Sequence, residues 1–251
     1  MTRGGKRQSW VMTKPVGEFA PWMGAFETLR VVQGVPLFMR EHLRELGRAM
    51  EALGLETDFD FEKARAELPG LDGRWRWIVT PEGTRTQFTE EAYVDPDSME
   101  LSISPVRVGS CNWDARFKTL SYLSHAQAWK MKSTDEVVLL NEYGLMASAA
   151  RSNIFWRLKG QLCTPAHEAG CRRGVMRAFV SRNHNVRSGH FQPGELLEAE
   201  EIFLTNSMKG IVSVHAVKGR SYKRFITADE LRAEYEEYIA EQVAEAKNVQ
   251  P

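Results

Sequence analysis

Side chains able to do chemistry lie in three short segments of this 251-residue chain. They are Lys118 within Phe-Lys-Thr-Leu, the pair Arg172-Arg173 directly before Gly174, and Ser207 at the end of Thr-Asn-Ser. A lysine amine can attack a carbonyl carbon and then move protons. A glycine that opens a helix lets an anion approach the backbone N–H groups. Each feature also has an ordinary structural explanation, because most lysines are solvated and glycine and serine are common in loops.

The composition points to a globular protein whose ligand is a small molecule. Hydrophobic residues make up 43% of the chain, enough for a large core in one domain or two lobes. The 33 acidic and 33 basic side chains balance, so no overall field favours nucleic acid or an anionic membrane as a partner. The sequence shows no apolar run long enough to span a bilayer and no signal peptide, so we expect a cytoplasmic protein. Cys111, Cys163 and Cys171 contain no C-x-x-C pair and predict neither a disulfide framework nor a metal site.

The N-terminal part of the sequence predicts a hairpin with an amphipathic helix packed on it. The turn residues Gln33-Gly34 separate two runs of β-forming residues. Apolar residues recur at helical spacing from about Arg40 to Leu53, and Gly54 is placed to cap that helix. The predicted elements here are strands over 24–32, 35–38, 75–80 and 99–106, and helices over 40–53 and 61–68.

A run of Gly, Ser, Cys and Asn between Gly109 and Asp114 predicts the boundary between an N-terminal lobe, 1–110, and a C-terminal lobe, 111–251. After it, one helix is expected to carry the apolar residues up to Met131 and to place Tyr122 one turn after Lys118. Thr227 and Glu230 predict a capping box at the start of a last helix. The other predicted elements are strands over 137–140, 153–158, 161–164, 201–205 and 212–217, a short helix opened by Gly174, and the last helix over 228–246.

Five segments of the chain carry a family pattern. They are GAFETLRVVQGVPLFMREHLREL, SISPVRVGSCNWDARFKTLSYL, DEVVLLNEYGLMASAARSNIFWR, LCTPAHEAGCRRGVMRAFV and EIFLTNSMKGIVSV. In this order they resemble the fold-type IV family of pyridoxal-phosphate (PLP) enzymes, the class IV aminotransferases and aminodeoxychorismate lyases. The second and fourth segments are more similar to aminodeoxychorismate lyase. The resemblance implies a two-lobed α+β fold like that of D-amino acid aminotransferase, a homodimer, and a pocket between the lobes.

The resemblance also assigns roles to single residues. Lys118 stands where the family has the lysine that forms an imine with the cofactor aldehyde and later moves protons. The backbone N–H groups of Val175 and Met176 and the hydroxyl of Ser207 stand at positions that bind the cofactor phosphate. Three further candidates are a hydroxyl near the cofactor and two residues on the substrate side, namely Thr28, Arg107 and Tyr122. These three could equally be a strand residue, a solvated arginine and a core aromatic.

Two positions depart from the family pattern. Three residues after His42 the family has an arginine that grips the phosphate, whereas this chain has Glu45, whose carboxylate would repel it. A guanidinium from Arg172 or Arg173 could replace the missing one. Ser148 stands in place of the glutamate that keeps the pyridine nitrogen protonated, so the ring would be a weaker electron sink. That favours an elimination with an aromatic product over transamination.

The resemblance implies, as the leading function, PLP-dependent loss of pyruvate from 4-amino-4-deoxychorismate, which gives 4-aminobenzoate on the folate route. One alternative is an aminotransferase of D- or branched-chain amino acids, against which Ser148 argues. The other is a PLP-free relative that binds an anionic metabolite, or does different chemistry, in the same pocket. Glu45 supports that alternative and the retention of Lys118 opposes it. The expected partner is a small amine or amino acid, with no nucleic acid and no membrane.

Overall fold

Two β-sheets with helices on their faces make up the residues that the computed structural model describes, 23–92 and 96–249. The strands are β1 (Ala25–Val32), β2 (Val35–Pro36), β3 (Gly73–Thr80), β4 (Gly83–Glu90), β5 (Ser98–Val108), β6 (Glu136–Asn141), β7 (Met146–Ala149), β8 (Asn153–Leu158), β9 (Gln161–Pro165), β10 (Val186–Gly189), β11 (Glu201–Asn206), β12 (Gly210–Val217) and β13 (Arg220–Ser221). The helices are α1 (Met39–Leu53), α2 (Phe61–Ala66), α3 (Trp113–Arg116), α4 (Leu123–Met131), α5 (Val175–Asn183), α6 (Glu195–Glu198) and α7 (Ile226–Val249). Within the described ranges, no helix is both long and apolar enough to cross a bilayer.

The smaller sheet has the antiparallel strand order β2-β1-β3-β4. The predicted turn is confirmed, because Gln33 and Gly34 both have positive φ values of 49° and 81°, as a tight two-residue hairpin requires. The predicted helix is confirmed as α1, which ends at Gly54 in the left-handed conformation. Its apolar side packs on the sheet in a core that includes Leu29 and Trp77.

The larger sheet has the strand order β10-β9-β8-β11-β12-β5-β6-β7, with β13 paired to β12. β5 lies between β12 and β6 and is parallel to both. The last strand of the smaller sheet ends at Glu90 and the first strand of the larger sheet begins at Ser98, before the predicted lobe boundary at Gly109–Asp114. The division into two lobes at that boundary stays a prediction. The glycine-rich run that suggested the later boundary connects β5 to α3. One apolar cluster, around Trp156, and another, around Phe155, lie against this sheet.

The single helix predicted around Lys118 is wrong. α3 ends at Arg116 and α4 begins at Leu123, and the segment between them runs beside the start of β1. The carbonyl oxygen of Lys118 accepts from the backbone N–H of Phe26 at 2.9 Å, and the N–H of Leu120 donates to Gly24 at 2.8 Å. A side chain on Gly24 would collide with Leu120, so glycine permits this close approach. Lys118 is therefore held by pairing with the smaller sheet.

The predicted capping box at the last helix is also wrong. The carboxylate of Glu201, on β11, accepts from the backbone N–H groups of Thr227 at 3.1 Å and Ala228 at 2.8 Å. The Thr227 hydroxyl instead accepts from the guanidinium of Arg157 at 3.0 Å and 2.8 Å. A carboxylate at a helix start is favourable because it meets unpaired N–H groups. The cap comes from a distant strand and fixes α7 to the larger sheet.

Candidate functional site

A polar pocket lies where the two sheets meet around Lys118. Its lining comes from β1, α1, the segment after α3, β7, β8, the start of α5 and the end of β11. Eight of the ten predicted site residues line it, although they are far apart in the sequence. They are Lys118, Tyr122, Ser148, Arg172, Arg173, Val175, Met176 and Ser207.

Thr28 and Arg107 lie outside this pocket. Thr28 follows Glu27 on β1, so its side chain lies on the opposite face of the strand, and its pairing partner in β3 is Arg76. Arg107 is exposed on β5, near the end of the strand. The roles assigned to these two residues stay predictions, and the described chain does not bring them to Lys118.

A buried carboxylate holds the amine of Lys118. Glu27 is only 3% exposed, and its Oε2 accepts from the Lys118 Nζ at 2.9 Å. The same oxygen lies 2.7 Å from Nδ1 of His42. Burial alone would raise the pKa of the Glu27 carboxyl, but the Lys118 ammonium and His42 outweigh burial and lower the pKa to about 2. Glu27 therefore stays ionised at neutral pH and keeps the lysine amine at the pocket wall.

Glu27 and His42 were not among the predicted site residues, although the sequence carries a signal for Glu27. Alternation along β1 places Glu27 on the same face as Ala25, Leu29 and Val31, all of which are buried. A carboxylate on an otherwise apolar strand face requires a buried partner. On the strand that carries Thr28, this pattern therefore indicates its neighbour Glu27 as a candidate site residue.

The start of α5 forms one end of the pocket. Gly174 is the N-cap of this nine-residue helix and makes no side-chain cap bond, so no such bond satisfies the first N–H groups. Gly174, Val175 and Met176 line the pocket. A Cβ at position 174 would collide with Oδ1 of Asn153, so glycine allows the chain to pass close to β8. N–H groups at a helix start are suited to binding an anion.

Cationic side chains outnumber carboxylates in the lining. The cations are Lys118, Arg116, Arg151, Arg172 and Arg173, and the carboxylates are Glu27 and Glu45. Burial raises the pKa of Glu45, and the nearby charges of Arg48 and Arg173 act against that rise. Glu45 is also ion-paired with Arg48. The repulsion expected from Glu45 is thus partly offset, and the excess of positive charge in the lining favours an anionic ligand.

Ser148 is buried on β7 and cannot act as an acid toward a ligand. Its hydroxyl donates to the backbone carbonyl of Ser152 at 2.9 Å. A hydroxyl has one proton, so Ser148 offers the pocket only acceptor lone pairs and no negative charge.

Known proteins resemble this chain in sequence and in fold. The family profile described as amino-transferase class IV matches residues 24–217. The aminodeoxychorismate lyase of Bacillus subtilis strain 168 is 25% identical over 232 residues, 80% of this chain and 79% of the relative. A putative branched-chain amino acid aminotransferase from Thermotoga maritima superposes with a TM-score of 0.79 at 22% identity, covering 95% of this chain and 94% of that structure. An aminotransferase from Brucella abortus bound to PLP superposes with a TM-score of 0.74 at 19% identity, covering 94% and 95%. The predicted α+β fold of the fold-type IV enzymes is confirmed.

Proposed function

This chain belongs to the class IV aminotransferase family of PLP-dependent enzymes, and on that premise we propose that it is a lyase that releases pyruvate from 4-amino-4-deoxychorismate and leaves 4-aminobenzoate. The observation that carries the choice of a lyase is Ser148. It stands where the family has the glutamate that protonates the pyridine nitrogen, and its only proton is donated to the Ser152 carbonyl. A ring nitrogen without an acid partner supports an aromatising elimination better than it supports transamination.

The residues of the pocket fit PLP. A phosphate could be bound by three groups of the lining: the N–H groups at the uncapped start of α5, the Ser207 hydroxyl and the Arg173 guanidinium. Lys118 supplies the amine that an aldehyde requires. Two lining carboxylates oppose a phosphate, and each has a cationic partner: Glu27 is paired with Lys118 and Glu45 with Arg48. The charge of Arg173 also lies near Glu45. We therefore propose that this chain retains the cofactor of its family, with Arg173 in place of the missing arginine.

When bound, PLP supplies the electron sink for the carbanion that forms at the substrate carbon. Lys118 would accept the proton from the ring carbon that bears the amino group, and the electron pair left there would form the new ring double bond as the ether C–O bond at the neighbouring ring carbon breaks. Lys118 would then return the proton to the departing enolate, which gives pyruvate. Glu27 would position this amine without taking its proton, because a carboxyl with a pKa of about 2 is a poor proton acceptor at neutral pH. His42 would fix the Glu27 carboxylate from the other side.

The lining also favours a ring-shaped dicarboxylate over a branched-chain amino acid. The Tyr122 ring stands at the pocket wall, packs edge-on against Phe26 at 5.9 Å, and is fixed by a hydrogen bond from its hydroxyl to the Ala150 carbonyl at 2.9 Å. A flat aromatic side chain suits a six-membered ring. 4-Amino-4-deoxychorismate has two carboxylates, which match the excess of arginines, whereas a branched-chain amino acid has one carboxylate and an apolar side chain.

Two assays of the PLP-supplemented protein test the proposal. We expect 4-amino-4-deoxychorismate to yield pyruvate and 4-aminobenzoate in equal amounts, and we expect transfer of an amino group from D- or branched-chain amino acids to a 2-oxo acid to be far slower. If amino transfer is faster than pyruvate release, the protein is an aminotransferase and the lyase proposal is wrong. If neither activity appears and added PLP does not bind, the pocket serves PLP-independent binding or chemistry. Glu45, in place of the family's arginine, would then reflect the loss of cofactor binding.

We further propose that the protein acts as a cytoplasmic homodimer, as the family resemblance implies. Light scattering coupled to gel filtration should give twice the chain mass. A monomer at assay concentration would contradict this assembly.

A further inference from the structure

Arg172 is held in a fixed position by two aromatic side chains. Its Cζ lies 4.6 Å from the centroid of the Tyr122 ring, and its Nη2 donates to Nε2 of His125 at 3.0 Å. His125 itself stacks on Tyr122, with ring centroids 4.3 Å apart and an interplanar angle of 11°. Tyr122 is fixed in turn by its hydrogen bond to Ala150. The guanidinium of this partly buried arginine is thus packed and oriented.

His125 serves as a neutral acceptor for this arginine. It is 1% exposed, and burial, with a further contribution from the Arg172 charge, lowers its pKa to about 2. A neutral imidazole that accepts at Nε2 carries its proton on Nδ1. The ring therefore binds one N–H of the guanidinium and leaves its positive charge uncompensated.

No carboxylate in the described part of the chain neutralises Arg172. Its guanidinium has no Asp or Glu oxygen within 4.0 Å there, whereas Arg48, Arg182 and Arg232 each have such a partner. A guanidinium presents five N–H donors in a fork that matches a carboxylate. An oriented guanidinium that lines a pocket without a counter-ion is prepared for an anionic group of a ligand.

The neighbouring arginines face different ends of the pocket. Arg173 lines a groove together with Glu45 on α1 and with Gly174 and Val175 at the start of α5, which places Arg173 toward that helix start. Arg172 lies against Tyr122 and His125 instead. Arg172 is thus separated from the residues proposed for the phosphate and belongs to the aromatic wall.

We infer that Arg172, oriented by His125 and Tyr122, forms a subsite for a carboxylate carried on a planar, ring-shaped ligand. This deepens the proposed function and rests on it for the identity of the ligand, since it names the residue that would bind a ring carboxylate of the substrate. Tyr122 would contact the ring face while Arg172 binds the carboxylate. His125 is a positioning residue, because it acts only through Arg172.

The test uses benzoate and benzamide as probes, an anion and its neutral isostere, with binding measured by titration calorimetry on the PLP-supplemented protein. We expect the wild type to prefer benzoate, and we expect Arg172→Gln to reduce benzoate affinity about ten-fold while benzamide affinity stays the same. His125→Phe keeps a ring stacked on Tyr122 but removes the acceptor, so it should give a smaller loss in the same direction. Arg172→Lys should retain part of the preference. Arg187→Gln is the matched control, because Arg187 also lies over an aromatic ring, Phe191 at 5.4 Å, but outside the pocket.

The benzamide titration shows that each variant is folded, so each result supports the subsite or overturns it. An unchanged preference in Arg172→Gln, or no preference in the wild type, would overturn it. These outcomes are independent of turnover. If the protein releases pyruvate but its preference for benzoate does not depend on Arg172, the subsite is refuted and the lyase proposal stands. If the preference for benzoate depends on Arg172 but no pyruvate is released, only the lyase proposal is refuted.

Discussion

Replacing Glu27 with glutamine tests the buried ion pair that holds Lys118. Glutamine has the shape of a protonated glutamate, so the variant lacks the negative charge but keeps the hydrogen-bonding side chain. The pKa of Glu27 falls from 4.5 to about 2 in the folded protein. Each unit of pKa shift corresponds to about 1.4 kcal/mol, so the ionised carboxyl stabilises the fold by about 3 kcal/mol at neutral pH. Glu27→Gln should lose about that amount.

The sign of the pH dependence follows from the direction of the shift. A carboxyl whose pKa is lowered by folding contributes its stability above the unfolded pKa and loses it as the pH falls through the folded pKa. The difference between wild type and Glu27→Gln should therefore be constant above about pH 5.5 and fall to less than about half near pH 3. Urea unfolding followed by tryptophan fluorescence at pH 7, 5 and 3 measures it.

Glu62→Gln is the matched control for this series. Glu62 makes the same kind of ion pair, with Arg65 at 3.4 Å, but its side chain is 65% exposed. An exposed pair contributes at most about 0.5 kcal/mol, so this variant should match the wild type at each pH. A loss in Glu27→Gln that does not vary with pH, or no loss, would refute the reasoning that the Glu27 charge is held by Lys118 and His42.

Three further predictions concern the pocket. Arg173→Gln should weaken binding of PLP about ten-fold in a fluorescence titration, because it removes a positive charge near the phosphate. Glu45→Arg should strengthen binding, because it adds a positive charge there. If both variants bind PLP as tightly as the wild type, Arg173 does not replace the missing arginine. Ser148→Glu should raise the rate of amino transfer relative to pyruvate release, since a carboxylate would keep the ring nitrogen protonated; an unchanged ratio would mean that this position does not control the ring. Gly174→Ala should cost about 1–3 kcal/mol in thermal or urea unfolding because its Cβ meets Asn153, whereas Gly194→Ala, at an open position, should cost less.

Local patterns were predictable because they depend on neighbours in the sequence. The turn at Gln33-Gly34 and the amphipathic helix α1 follow from turn chemistry and from apolar spacing, and both are confirmed. Eight of the residues that were predicted as site residues line one pocket. Family patterns record which residues share a site even when their separation in the sequence is large.

The errors arose where a distant segment determines local structure. Leu123 and Met131 suggested the apolar face of one helix through Lys118, but they are 77% and 56% exposed, and the chain pairs with β1 instead. The cap of α7 comes from Glu201 on another strand. Strand alternation marks Glu27 as a buried carboxylate, but its partners, Lys118 and His42, meet it only in the folded protein. The identity of such partners has no signature at short range.

The most direct test of the central claim is to find which side chain binds the cofactor covalently. The protein is mixed with PLP, reduced with borohydride, digested, and analysed by peptide mass spectrometry, with Lys118→Ala treated in parallel. We expect one predominant label in the wild type, on the peptide that contains Lys118, and we expect that label to be lost in the variant. A wild type that carries no label, or a label that persists in Lys118→Ala at another lysine, would contradict it.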